Sequence, residues 1–120
     1  MNQLTDFEGL ESKFMQVLSE SSYNTLIKAL VDVETVYVIG NGGLHFVSSH
    51  MATDMSRLLP NLRVFSFDSV GFITSNANDH GYEAVFTRWL ESINGCYKNE
   101  QKSLIIGMSC SGKSANVMAA

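Results

Sequence analysis

A chain of 120 residues with 45% hydrophobic and 17% charged side chains has the length and balance of one globular domain. Eight Lys and Arg against 12 Asp and Glu leave a formal net charge of −4, and no basic run is present to follow a phosphate backbone or an anionic bilayer, so neither nucleic acid nor a membrane surface is an expected partner. No apolar stretch reaches the roughly 20 residues of a membrane span, and "MNQLTDFEGLESKF" lacks the basic start and apolar core of a signal peptide, so the expected location is cytoplasmic.

In chain order, Thr5-x-x-Glu8 has capping-box form, and Phe7, Leu10, Phe14, Val17 and Leu18 follow at helical spacing, which predicts a helix beginning near Asp6. The polar "SESS" at 19–22 breaks or bends it, and Leu26, Ile27, Leu30 and Val31 resume the apolar face. "TVYVIG" is a β-branched and aromatic run ending in glycine, the pattern of a buried strand. After "GNGG", residues 44–59 read as a helix stopped by Pro60, and "LRVFSF" at 62–67 as a second strand.

Residues 68–80, rich in Ser, Asn, Asp and Gly, suit a loop holding a short helix. "YEAVFTRWLESI" then places Val85, Trp89 and Ile93 on one helical face, "YKNEQK" is a polar connector, "SLIIGM" is a third strand, and a last helix starts at Ser114. Phe72, Phe86 and Trp89 are expected in the core. Cys96 and Cys110 have neither CxxC spacing nor a secreted context and are expected as reduced thiols.

Strand and helix alternate in the order a parallel sheet with right-handed crossovers requires, so the fold class is α/β. Ligands of such sheets sit at the carboxyl ends of the strands. Both glycine-containing loops, 40–43 and 107–112, fall there. Three strands with a final helix of about two turns leave apolar sheet surface uncovered, so the expectation is a fragment of a longer protein or a chain completed by a partner.

Gly107 to Ser114 satisfies G-x-x-x-x-G-K-[ST], the P-loop pattern, in which backbone N–H groups wrap phosphates, a Lys reaches the terminal ones and a hydroxyl binds magnesium. Only six residues follow Ser114, too few for the second acidic magnesium ligand. The same residues admit another reading, in which Ser109, Ser111 and Ser114 with the N–H groups at a helix start hold one phosphate without metal. They also admit a third, in which the serines are turn and cap residues only. Within this segment the three stand level.

"VYVIGNGGLHFVSSHMATDMSRL", "TSNANDHGYEAVFTRWLES" and "LIIGMSCSGKSANVMAA", in this order and spacing, resemble the phosphoheptose isomerase branch of the sugar isomerase (SIS) domain family from about Val36 to the end. The P-loop match is then coincidental, arising from Lys113 where the family often has Asn. The resemblance implies a flavodoxin-like three-layer α/β/α sandwich on a parallel sheet. The chain would then be a single SIS domain over 1–120, with a helical segment at 1–33 and a core at 34–120 lacking its C-terminal part. It further implies a homotetramer with sites between subunits, a phosphorylated sugar as ligand and no nucleotide.

Carried over by position, Ser109, Ser111 and Ser114 correspond to the phosphate ligands, Asn41 and Gly42 to the sugar pocket, and Asp79 to an aspartate approaching the substrate. The family's general base is a Glu where this chain has Asp54, one methylene shorter. The Ser that usually follows GNGG is Leu44, a pocket Asp is Val47, and the family's catalytic His lies in a C-terminal third with no counterpart here. His50, four residues before Asp54, admits two readings, a substitute for that acid paired with Asp54 or a helix histidine packed or solvated near the pocket. His45, His50 and Asp54 also permit a zinc reading; otherwise no cofactor is expected. The implied function is phosphosugar binding with weak or absent isomerase activity, set against a non-catalytic assembly module and, third, a P-loop nucleotide-binding fragment.

Overall fold

The computed structural model describes residues 7–96 and 102–120. Thr5 of the expected capping box and residues 97–101 of the polar connector lie outside them, as do the side chains of Glu8 and Cys96. The chain divides into two compact units, Met1–Asp32 and Val33–Ala120.

The first unit holds α1 (Phe7–Ser19) and α2 (Ser21–Val31). The polar patch breaks the helix at Glu20, which takes an extended conformation (φ −73°, ψ 150°), while the Ser19 hydroxyl donates to the Gln16 carbonyl at 2.7 Å. A side chain that returns to the backbone in this way competes with helix propagation. Leu10, Phe14 and Met15 on α1 remain about 60% exposed.

The second unit is a three-stranded parallel sheet, β1 (Thr35–Gly40), β2 (Arg63–Ser66) and β3 (Ser103–Met108), in the order β2-β1-β3. Tyr37 faces Phe65 on one side and Ile105 on the other. All six residues of β1 are buried, as a central parallel strand covered on both faces requires. Alternation along β1 sends Tyr37 and Ile39 to one face and Val36 and Val38 to the other.

Helix α3 (Gly43–Leu58) packs on β1 and β2 through buried Ser48 and Ala52. The other layer comprises α4 (Val70–His80), a 3-10 turn (Tyr82–Ala84), α5 (Val85–Cys96) and α6 (Ala115–Ala119). Its core joins Tyr37, Ile39, Phe67, Val85, Phe86 and Leu90. Trp89 lies 4.5 Å from Phe67 and 4.6 Å from Phe72 between ring centroids, and Phe86 stacks on Phe67, so the three expected aromatics do pack internally.

Two differences from the sequence reading have physical causes. Residues 70–80 form a full helix rather than a loop with a short one: the Ser69 hydroxyl accepts from the Phe72 N–H, and Thr74 and Asn76 donate to carbonyls one turn back, so the polar residues satisfy themselves on the helix. The last helix occupies Ala115–Ala119, a little over one turn, with Ser114 as its N-cap residue.

Candidate functional site

The chain leaves β1 toward β2, then returns to the far side of β1 to form β3. This reversal opens a crevice beyond the carboxyl ends of β1 and β3, where an open parallel sheet binds its ligands. The two loops entering it are the ones singled out by sequence.

The first loop follows β1 closely because position 40 is glycine. A Cβ there would stand 3.0 Å from the backbone carbon and oxygen of Leu44, so any side chain would push the start of α3 off the strand. Gly42 has φ 56° and ψ −125°, a conformation L side chains avoid, and it turns the backbone into α3. A small cleft of about 80 Å³ is lined by Asn41, Gly42, His45, Ile73, Tyr82 and Phe86, among others.

The second loop, after β3, gathers three hydroxyls. Ser109 Oγ is 2.9 Å from Ser114 Oγ and 3.4 Å from Ser111 Oγ. Ser109 Oγ accepts from the Ser114 N–H at 3.4 Å and Ser111 Oγ from the Lys113 N–H at 3.2 Å, with Gly112 at φ 64° making the turn. Ser114 makes no side-chain cap bond to α6; its hydroxyl is directed to Ser109 instead. Gly107 belongs to β3, paired with Ile39, and a Cβ there would meet Val117 Cγ1 at 2.8 Å. Its glycine permits the close approach of Val117 on α6 to β3.

Asn116 joins the two loops and was not read from sequence. It is 2% exposed, donates from Nδ2 to Asn41 Oδ1 at 2.9 Å and accepts from Asn41 Nδ2 at 2.7 Å. The Tyr82 hydroxyl donates to the same Asn41 oxygen at 3.1 Å. Asn41 is therefore held by two partners, 75 and 41 residues away.

The remaining expected residues are placed elsewhere. Asp79 is exposed on the last turn of α4, accepting from Asn78 Nδ2 at 2.8 Å, and does not line the cleft. His50 and Asp54 meet one helical turn apart, His50 Nε2 to Asp54 Oδ2 at 3.2 Å, with Arg57 3.8 Å from the other carboxylate oxygen. Their side chains are 80% and 46% exposed and line a separate apolar trough on α3 with Val47. His45 instead bonds Asp68 at 3.0 Å, and Asp68 also accepts from Ser66 and Ser49. Among the described residues no three His, Cys, Asp or Glu side chains gather to hold a metal, so the donors of the zinc reading do not assemble within the chain. The described Cys110 is a free, exposed thiol, and no described helix is long and apolar enough to cross a membrane.

No protein-family model matches the sequence. It is similar to a phosphoheptose isomerase of Helicobacter pylori strain P12, 30% identical over 118 residues, covering 94% of this chain and 58% of that protein. A second, from Proteus mirabilis, is 27% identical over 129 residues, covering 98% of this chain and 64% of that protein. The solved structure of a phosphoheptose isomerase from Neisseria gonorrhoeae superposes with a TM-score of 0.71 at 22% identity, over 91% of this chain and 58% of that one, a likeness of fold. The chain thus spans a little more than half the length of these relatives. The α/β order, the parallel sheet with its two loops at the switch point, and these matches along most of the chain place it in the SIS, phosphoheptose isomerase-like family.

Proposed function

We propose that this chain binds a phosphorylated sugar in the crevice beyond β1 and β3, and that by itself it isomerises sedoheptulose 7-phosphate weakly or not at all. The observation that carries the reading is the convergence of Ser109, Ser111 and Ser114 on a loop tied by Asn116 to Asn41. Hydroxyls and loop N–H groups suit a phosphate without metal, and Asn41, Gly42 and Tyr82 offer a polar wall beside it for the sugar hydroxyls. Asp79 would reach the ligand only after a rearrangement of the last turn of α4.

Aldose-ketose isomerisation moves a proton between C1 and C2, and the base must stand within hydrogen-bond reach of that carbon acid. Asp54, paired with His50 on α3, is the candidate base and His50 the candidate acid, yet both lie outside the cleft that Asn41 lines. Displacement of a base by about 1 Å already costs on the order of a hundredfold. Low activity follows unless another chain completes the site. Assembly as a homo-oligomer, a tetramer by resemblance, and a cytoplasmic location belong to the same reading. The apolar trough on α3 supports, as a second reading, a non-catalytic assembly module.

Calorimetry tests the ligand. Sedoheptulose 7-phosphate should bind in preference to ATP-magnesium, and Lys113→Ala should leave that binding nearly intact, whereas Ser109→Ala should weaken it. Tight ATP binding abolished by Lys113→Ala would overturn the reading in favour of the P-loop. A coupled isomerase assay, with Asp54→Ala as control, should show no robust turnover.

A further inference from the structure

We infer that His45, with its ring set by Asp68, reads a hydroxyl of the bound sugar, Nδ1 accepting a hydrogen bond from it in the cleft beside Asn41. The inference rests on the phosphosugar reading above and adds the residue that tells a sugar from bare phosphate. His45 stands in the first turn of α3 between apolar Leu44 and Phe46, and it lines the cleft with Asn41 and Tyr82 beside apolar Ile73 and Phe86. Asn41 also bonds Asn116, two residues beyond Ser114, which joins the cleft to the serine loop. At about 80 Å³ the cleft has room for only about two or three hydroxyl-sized groups of about 30 Å³ each. It suits one end of a sugar, with the phosphate held elsewhere.

The chemistry of the ring follows from its partner. His45 Nε2 donates to Asp68 Oδ1 at 3.0 Å. A carboxylate only accepts, so the proton of the neutral imidazole sits on Nε2 and the lone pair on Nδ1. Asp68 is itself fixed from two elements, its Oδ2 accepting from Ser66 at the end of β2 and from Ser49 of α3 at 3.3 Å. A ring oriented by a held carboxylate keeps both its tautomer and its direction. Among the described residues Nδ1 has no hydrogen-bond partner, although the His45 side chain is only 25% exposed. The other polar groups of the cleft are already engaged, the Tyr82 hydroxyl donating to Asn41 Oδ1 and Asn41 exchanging bonds with Asn116. What the cleft lacks is a donor for Nδ1. A sugar hydroxyl supplies one, while the ionised phosphate of the same ligand, an acceptor, is left to the serine loop.

Titration of the 120-residue chain with sedoheptulose 7-phosphate and with inorganic phosphate, followed by nitrogen NMR of the imidazoles at mildly alkaline pH, tests this without any variant. The His45 ring should show a protonated Nε2 and a bare Nδ1, and the Nδ1 resonance should move with the sugar phosphate and stay in place with inorganic phosphate. Calorimetry adds the energetics. His45→Ala should cost the sugar phosphate on the order of tenfold more affinity than it costs inorganic phosphate, the worth of about one hydrogen bond. His45→Asn, whose amide oxygen can take the place of Nδ1, should recover most of that loss, and His45→Gln, which reaches only toward Asp68, should not. Asp68→Asn should fall between wild type and His45→Ala, because an amide no longer fixes the proton on Nε2. With inorganic phosphate binding and Ser109→Ala weakening it, a protonated Nδ1 in the free chain, an Nδ1 resonance that ignores the sugar, or recovery by Gln and not by Asn would overturn the inference and leave the serine loop standing. Failure of both ligands to bind would overturn it together with the phosphosugar reading.

Discussion

The crevice loops and the outer face of α3 both carry polar side chains, but they hold them differently. At the crevice, Asn41 exchanges two hydrogen bonds with buried Asn116 and receives a third from Tyr82, and the serine hydroxyls bond one another. On α3, His50 and Asp54 touch only along one helix, in water, beside side chains that are themselves uncovered. A group fixed by partners far apart in sequence is ordered when the domain folds, whereas an exposed helical pair is worth little until something covers it. The first region is organised by this chain's own fold. The contacts of the described residues leave the second in water.

The contrast is broken most severely at its foundation. Gly40→Val places branched carbons where even a Cβ stands 3.0 Å from the Leu44 backbone, so β1 and α3 must separate. The expected loss is about 3 kcal/mol, read as a lower urea midpoint, because overpacking against backbone has no flexible side chain to yield. A loss below about 0.5 kcal/mol would mean that the loop is not held as tightly as the crevice requires.

Asn116→Ala should cost less, about 1–3 kcal/mol, since it removes a buried donor and acceptor and leaves Asn41 with Tyr82 alone. Sugar-phosphate affinity should fall with it, because the two loops lose their tie. An unchanged affinity in a folded variant would separate the serine loop from the Asn41 wall.

Much of this architecture is legible in the sequence because it is local. "TVYVIG" and "SLIIGM" announce themselves by β-branched content, and α3 by its periodicity and the following Pro60. The i, i+4 spacing of His50 and Asp54 foretells their contact, found at 3.2 Å. What escapes is either disguised or distant. Helix α4 hides behind Thr74, Ser75 and Asn76, whose loop-forming tendency is spent on bonds to their own helix. The tie between Asn41 and Asn116 spans 75 residues and obeys no period, so nothing in either neighbourhood reports the other. Likewise Asp79 and Asp54 are matched to family positions by sequence, but their separation from the cleft depends on how α3 and α4 pack.

Tyr82→Phe refines the crevice side. The ring can stay, and only the hydroxyl bond to Asn41 goes; as Tyr82 is 54% exposed and water can replace it, about 0.5–1 kcal/mol is expected. Because Asn116 still holds Asn41, the combined loss in the double variant Tyr82→Phe/Asn116→Ala should exceed the sum of the single losses. Simple additivity would show that the two do not share Asn41.

The smallest effect belongs to α3. Exposed polar pairs one turn apart on a helix contribute only about 0.3–0.5 kcal/mol, so in dilute monomer His50→Ala should barely move the urea midpoint. The informative quantity is the concentration dependence of that small number. If a second copy covers the face, the same substitution removes contacts across the seam that exist only in the associated state, and the midpoint difference between wild type and His50→Ala must widen as protein concentration rises. A crevice substitution such as Tyr82→Phe should show no such widening. Equal behaviour of the two would erase the distinction between a region this chain covers itself and one it leaves in water.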